Sequence, residues 1–282
     1  MRFAYFIIAH AQPRQLDWLI RAISDPRDLI LVHINSRTDA QTAASMRAVT
    51  RGLDNVFYMP RRPISWGGWN LAAVDLDAIS FALQTERPWD YFINMSGHDY
   101  PLRPIEDLRA FLSRKPGANY LEAVPYARSP WHIKRRSQLL YMEIDKRVRR
   151  IPLPNPLPRP MPIYKGLKWG QFSRAFCEWL NAESDIVERA CRFFRLTRIP
   201  DESLFHSLLM ASPFRDTLVQ DPMRLCDFSG GKANTRVFTT ADWPLLSASE
   251  AFFARKFDES LDAQILHRLA EKIGAPTPPA AA

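Results

Sequence analysis

The chain has 282 residues, 46% of them hydrophobic, and a formal net charge of +8 at pH 7 with a pI near 9.6. That length can bury one large core, and no uncharged apolar run approaches the roughly 18–20 residues needed to span a bilayer. The three cysteines, Cys177, Cys191 and Cys226, are odd in number and match no metal or redox spacing, which excludes a disulfide framework and leaves reduced thiols as the expectation.

In chain order, FAYFIIAH predicts a buried first strand. Its apolar run is too short for a signal peptide and leads straight into the helical pattern LDWLIRAIS. DLILVHIN and NVFYMP predict two further strands, 70–84 a helix, and WDYFINMSG another buried strand. Strands alternating with helices indicate an α/β fold with a mostly parallel, Rossmann-like sheet flanked by helices. Such sheets place ligands at the carboxyl ends of their strands, so His10, Asn35 and the SGHDYP turn should share one rim.

The middle of the chain differs in kind. After YLEAVPY comes a basic segment carrying Lys134, Arg135, Arg136, Lys146, Arg147, Arg149 and Arg150. It is followed by a proline-rich stretch, 151–163, that can form neither a helix nor a central strand. That stretch is expected to be a surface connection inside a single domain over 1–272. KGLKWGQFSRAFCEWLNAES should run from a strand into a helix, IPDESLFHSLLMAS should begin another, and 273–282 should be a disordered tail.

The excess positive charge calls for an anionic partner: nucleic acid, acidic lipid or a phosphorylated small substrate. No Gly-rich phosphate loop, GxGxxG or GxxxxGK[ST], occurs, which argues against kinases and dehydrogenases. Pro200 and Asp201 look like a helix start that fixes Glu202 in a first turn, where it could act in a cleft or only complement the helix dipole. In AFFARKFD, phenylalanines flank Arg255 and Lys256, so a cation held against an apolar wall could bind diphosphate; an exposed basic pair is the alternative. Arg236 is a further candidate for that role. Asp75 and Asp77 have Asp-x-Asp spacing, but on a helix positions i and i+2 diverge and cannot grip one ion. With no HxH, HxxxH or HExxH pattern either, no metal or other cofactor is expected. SWGGWN, with Ser65 and Trp66, could stack a ring on a nucleotide base or sugar, or pack its tryptophans in the core.

These segments and their order resemble the core-2/I-branching β-1,6-N-acetylglucosaminyltransferases and peptide O-xylosyltransferases, glycosyltransferase family 14, over about 3–260. The segments are AYFIIAHAQP with LVHIN, ISWGGWNLAAVDLDAISFAL, DYFINMSGHDYPL, KWGQFSR, PDESLFHSLL and FFARKFD. The resemblance implies a GT-A fold, a UDP-sugar donor, inversion at the anomeric carbon and no metal. It puts the catalytic base on Glu202 and diphosphate binding on Lys256, with Arg236 or Arg255 assisting. Nucleotide contacts fall on His10 and Asn35, where relatives often carry aspartate at the latter position. Sugar-binding positions fall on Asp99, Glu122, Arg135 and Trp169, with Lys134 an alternative helper to Arg135.

The expected function is transfer of GlcNAc or xylose to a glycan, lipid-linked glycan or polysaccharide hydroxyl. A start at the first strand and few cysteines point to a bacterial-type cytoplasmic enzyme, peripheral at the inner membrane face, its basic segment against anionic lipid. The competing readings are an inactive glycan-binding relative and a basic nucleic-acid-binding protein; no RRM, KH, zinc-finger or helix-turn-helix signature supports the latter, and nucleic acid is not an expected partner.

Overall fold

The computed structural model describes residues 1–229 and 235–277. Its contacts resolve two compact units, one from Met1–Arg61, Asn94–Pro116 and Met223–Ala282, the other from Arg62–Ile93 and Gly117–Pro222.

The chain opens in the first unit with β1 (Phe3–Ala9), α1 (Pro13–Ile23) and β2 (Leu29–Ile34), then α2 (Ala40–Ala48) and β3 (Val56–Tyr58). It continues in the second unit with α3 (Asn70–Gln84) and the start of β4 (Tyr91–Ser96). β4 ends in the first unit, followed by β5 (Asp99–Pro101) and α4 (Ile105–Ser113). β1 and β2 are buried along their whole length, as near-continuous apolar runs require when both faces are covered. They pair in parallel with Ala4 opposite Leu29, and β3 continues the parallel set with Val56 opposite Ile30. Pro13 at the start of α1 loses no needed donor there, and the Asp39 carboxylate caps α2 by accepting the Thr42 N–H.

A smaller sheet completes the first unit. Its central strand Phe253–Arg255 lies parallel to Arg224–Cys226 and antiparallel to β5, with Arg255 opposite Asp99. Trp18, Tyr100, Phe238, Phe257, Leu266 and Leu269 form the core behind it.

In the second unit the first half of β4 pairs antiparallel with Gln171–Ser173, Phe92 opposite Phe172. That strand pairs with Asn119–Tyr120, which runs parallel to Leu218–Val219. Ser173 then caps the helix Arg174–Asn181 by accepting the Phe176 N–H. A hairpin of Leu139–Ile144 and Arg147–Pro154 turns through Asp145 and Lys146, both at positive φ. The expectation of a surface connection throughout 151–163 is therefore corrected at its start, since its first residues complete a hairpin arm. Proline is tolerated there because the arm belongs to a two-stranded sheet. Met161 and Ile163 are buried and pin the rest of the run.

The chain is of the α/β class that its alternating pattern predicts: β1, β2 and β3 form a parallel set, and the other pairings include both parallel and antiparallel strands. Among the described residues no helix is long and apolar enough to cross a membrane. Of the expected tail, Ile273 closes the helix Glu259–Ile273 against a left-handed Gly274, and 278–282 lie outside the described residues.

Candidate active site

The predicted site residues fall into two clusters, one in each unit. In the first unit, His10 follows β1 and Asn35 follows β2. The Asn35 N–H donates to the Ala9 carbonyl at 2.9 Å and the Thr38 hydroxyl to the His10 carbonyl at 2.9 Å, joining the two strand ends. His98, in the turn between β4 and β5, lies ring to ring with His10 at 5.3 Å. Its Nδ1 is 3.1 Å from the Phe257 carbonyl, and the Phe257 N–H donates back to the His98 carbonyl at 2.8 Å. That exchange fixes Lys256 and Arg255 next to the imidazoles. Partial burial, then the Lys256 charge, lowers the His10 pKa; burial above all lowers that of His98. Neutral imidazoles beside two cations make a basin of positive potential suited to an anion. Lys256 makes no ion pair among the described residues.

Two predicted residues of this cluster have partners within the chain. Asp99, a predicted sugar-binding residue, is fully buried and accepts the Ser96 N–H at 3.0 Å and an ion pair from Arg224. Its other oxygen is 3.4 Å from the Arg255 guanidinium, so it anchors that arginine instead of facing a ligand. Arg236, a predicted diphosphate contact, is clamped by Asp242 through two bonds of 2.8 and 2.7 Å and by Asp227 at 2.8 Å. Two carboxylates already compensate its charge.

In the second unit, Pro200–Glu202 is a separate 3-10 turn, and the α-helix Leu204–Ala211 begins only after Ser203. Glu202 thus ends a tight turn and does not sit in the first turn of that helix. Ile199 precedes the turn in the left-handed region at φ 55°, a rare conformation for a β-branched residue. Its N–H donates to the Gly67 carbonyl at 2.9 Å, which holds it against SWGGWN. Gly67 has φ 74°, and a Cβ there would come within 3.2 Å of the Ile199 side chain.

The Glu202 side chain is 36% exposed, and its Oε2 accepts from Arg136 at 2.9 Å. Burial raises its pKa although the charges of Arg136 and Lys165 pull it down. Gly166 ties the predicted acceptor glutamate to this place: its N–H donates to the Glu202 carbonyl at 3.1 Å. A Cβ on Gly166 would lie 1.9 Å from the Glu122 carbonyl oxygen, so only glycine fits. Behind the turn, Asp201 is buried and burial pushes its pKa up to about 7. Lys168 lies beneath it, ion-paired to Asp75 and donating to the Leu71 carbonyl at 2.6 Å. Asp77 pairs with Arg62 at 3.0 Å, so both carboxylates of the Asp-x-Asp spacing have internal cations. His206 is fully buried and lowered to about 4, hence neutral.

The remaining predicted residues also lie in this unit. Trp66 is 50% exposed beneath the Arg198 guanidinium, so it is no core residue. The Ser65 hydroxyl is buried against Glu143 and the Lys146 carbonyl, so it braces the hairpin and is not open to a nucleotide. Trp169 is 9% exposed, with the Lys168 ammonium 5.7 Å from its ring centre, which leaves little ring face for a sugar. Arg135 is half-buried, and the arginine that engages Glu202 is its neighbour Arg136.

Residues 3–250 match the model of the Core-2/I-Branching enzyme family. The chain belongs to that family. Among curated relatives, human xylosyltransferase 1 is 28% identical over 95% of this chain and 30% of its own length. Bovine xylosyltransferase 2 is 29% identical over 95% of this chain and 33% of its own length. The chain therefore spans about a third of the length of these relatives. Among solved structures, S. aureus TarS 1-349 in complex with UDP aligns with a TM-score of 0.40 at 13% identity, over 96% of this chain and 65% of that one.

For this family member, motif reading alone missed several residues. Arg136 and Lys165 tune Glu202, Gly166 joins it to Glu122, and His98 borders Lys256. His98 carried a signal, since it sits in the SGHDYP turn at a strand's carboxyl end. Arg136 and Lys165 carried none.

Proposed function

We propose that this chain is an inverting, metal-independent glycosyltransferase of GT-A type, moving a sugar from a UDP-sugar to a hydroxyl of a glycan or glycoconjugate. The observation that carries the reading is Glu202, a half-buried carboxylate on a rigid turn with a raised pKa and two cations beside it. A general base must be ionised yet basic enough to take a hydroxyl proton, and a raised pKa serves the second need. Direct displacement by the activated hydroxyl inverts the anomeric centre and expels UDP. In this reading Lys256 and Arg255 supply positive charge for the leaving diphosphate, which is the role a metal fills elsewhere. His10 and Asn35 are the nucleotide contacts in this reading, and Glu122 the acceptor contact. Family membership favours GlcNAc or xylose as the donor sugar, xylose being the one in the names of the relatives.

A thermal-shift panel of UDP-sugars with EDTA present tests donor class and metal independence together. The reading expects UDP, UDP-GlcNAc or UDP-xylose to raise Tm with EDTA present. No shift with any of them, or a shift abolished by EDTA, would contradict it.

Peripheral attachment at a membrane is part of the proposal. In the hairpin, Met142 lies opposite Arg149 and Ile144 opposite Arg147, and all four side chains are exposed. Apolar and cationic groups on one outward face suit an anionic bilayer surface. Phosphatidylserine vesicles should sediment the protein and phosphatidylcholine vesicles should not; indifference to the anionic lipid would count against attachment.

A further inference from the structure

The second unit holds a cleft of about 360 Å³ that the Glu202 chemistry does not itself use. Its walls include Tyr126, Tyr164, Lys134, Gln138 and Arg159, and no carboxylate lines it. Lys134 comes from the helix Trp131–Gln138, and Arg159 from the proline-rich stretch. Neither makes an ion pair among the described residues, so the cleft carries two uncompensated positive charges. The stretch that carries Arg159 is held down by buried Met161 and Ile163, the Ile163 carbonyl accepting the Tyr126 N–H at 2.9 Å. Prolines on either side restrict the backbone further, so little entropy is lost when Arg159 engages a ligand.

One wall is shared with the surroundings of Glu202. The Tyr126 hydroxyl accepts from the Ser203 hydroxyl at 3.3 Å, directly after Glu202. Tyr164 is followed by Lys165, whose charge acts on the Glu202 carboxylate. Two aromatic walls suit the apolar face of a sugar ring, and an unpaired Lys–Arg pair suits a carboxylate or phosphate.

We propose that this cleft binds an acidic sugar, a uronate or a phosphorylated sugar, as part of the acceptor, with Lys134 and Arg159 holding its anionic group. The acceptor role rests on the transferase reading of Glu202; the preference for an anionic sugar does not.

Saturation-transfer NMR on the full chain without UDP, using glucuronate, glucose 6-phosphate and glucose as probes, tests the preference. At least one acidic sugar should bind well above glucose, and which one does identifies the acid. A Lys134→Gln/Arg159→Gln variant should bind it about tenfold or more weakly, as expected for the loss of charge-assisted hydrogen bonds, with an unchanged far-UV spectrum and Tm. A Lys134→Arg variant should retain binding. Equal binding of glucose, or undiminished binding of the acid by the double variant, overturns the proposal. UDP stabilisation without acidic-sugar binding would sink this inference and leave the transferase reading; the converse would sink the transferase reading and leave an acidic-sugar site.

Discussion

Glu202 must be ionised to accept a proton, and its environment pulls in two directions. Burial favours the neutral acid, while Arg136 at 2.9 Å and the charge of Lys165 favour the carboxylate. Removing Arg136 takes away a charge and a hydrogen bond that lower the pKa, so the carboxylate of Arg136→Gln should protonate at higher pH. Transfer by that variant should therefore fall more at pH 6 than at pH 8, moving the acid limb of kcat/KM upward. A uniform loss at all pH values would mean that Arg136 acts only by holding structure. At this scale PDES was legible as a motif, but its partner was not, because 66 residues separate Arg136 from Glu202. Arg135 and Arg136 also look alike in sequence. They are adjacent on the helix Trp131–Gln138, about 100° apart, so only one can point at a given neighbour.

Among the elements, the long periodic ones were readable: β1, β2, α3 and β4 follow apolar patterns that local physics dictates. Strands of two or three residues, such as Asn119–Tyr120 and Tyr164–Lys165, are too short to show a period. The hairpin after residue 138 was hidden for another reason, since its Asp145–Lys146 turn lacks the Asn-Gly or Asp-Gly signal usual for two residues at positive φ. Lys168, which precedes Trp169 in KWGQFSR, pairs with Asp75, one of the two carboxylates rejected as a metal site. Gly166 makes the sharpest element-scale prediction, because Gly166→Ala sets a methyl against the Glu122 backbone. The variant should lose on the order of 1–3 kcal/mol, a fall of several degrees in Tm, and its transfer rate should drop as Glu202 and Glu122 are pushed apart. An unchanged Tm with full activity would refute this role for Gly166.

At the scale of the whole molecule, the chain crosses between its two units several times, so neither unit is a continuous stretch that composition could mark out. The first gathers His10, Asn35, Arg255 and Lys256, and the second gathers Glu122, Arg136, Lys165 and Glu202. The order of motifs pointed to the family, while the grouping of these residues into two clusters needed the fold. The central claim is that Glu202 removes the acceptor's proton. It is tested most directly by measuring UDP release and sugar transfer with Glu202→Gln, alongside the thermal shift that the donor produces. The account predicts an unchanged donor shift with transfer reduced on the order of 10²- to 10⁴-fold. Transfer at the unaltered rate would contradict it.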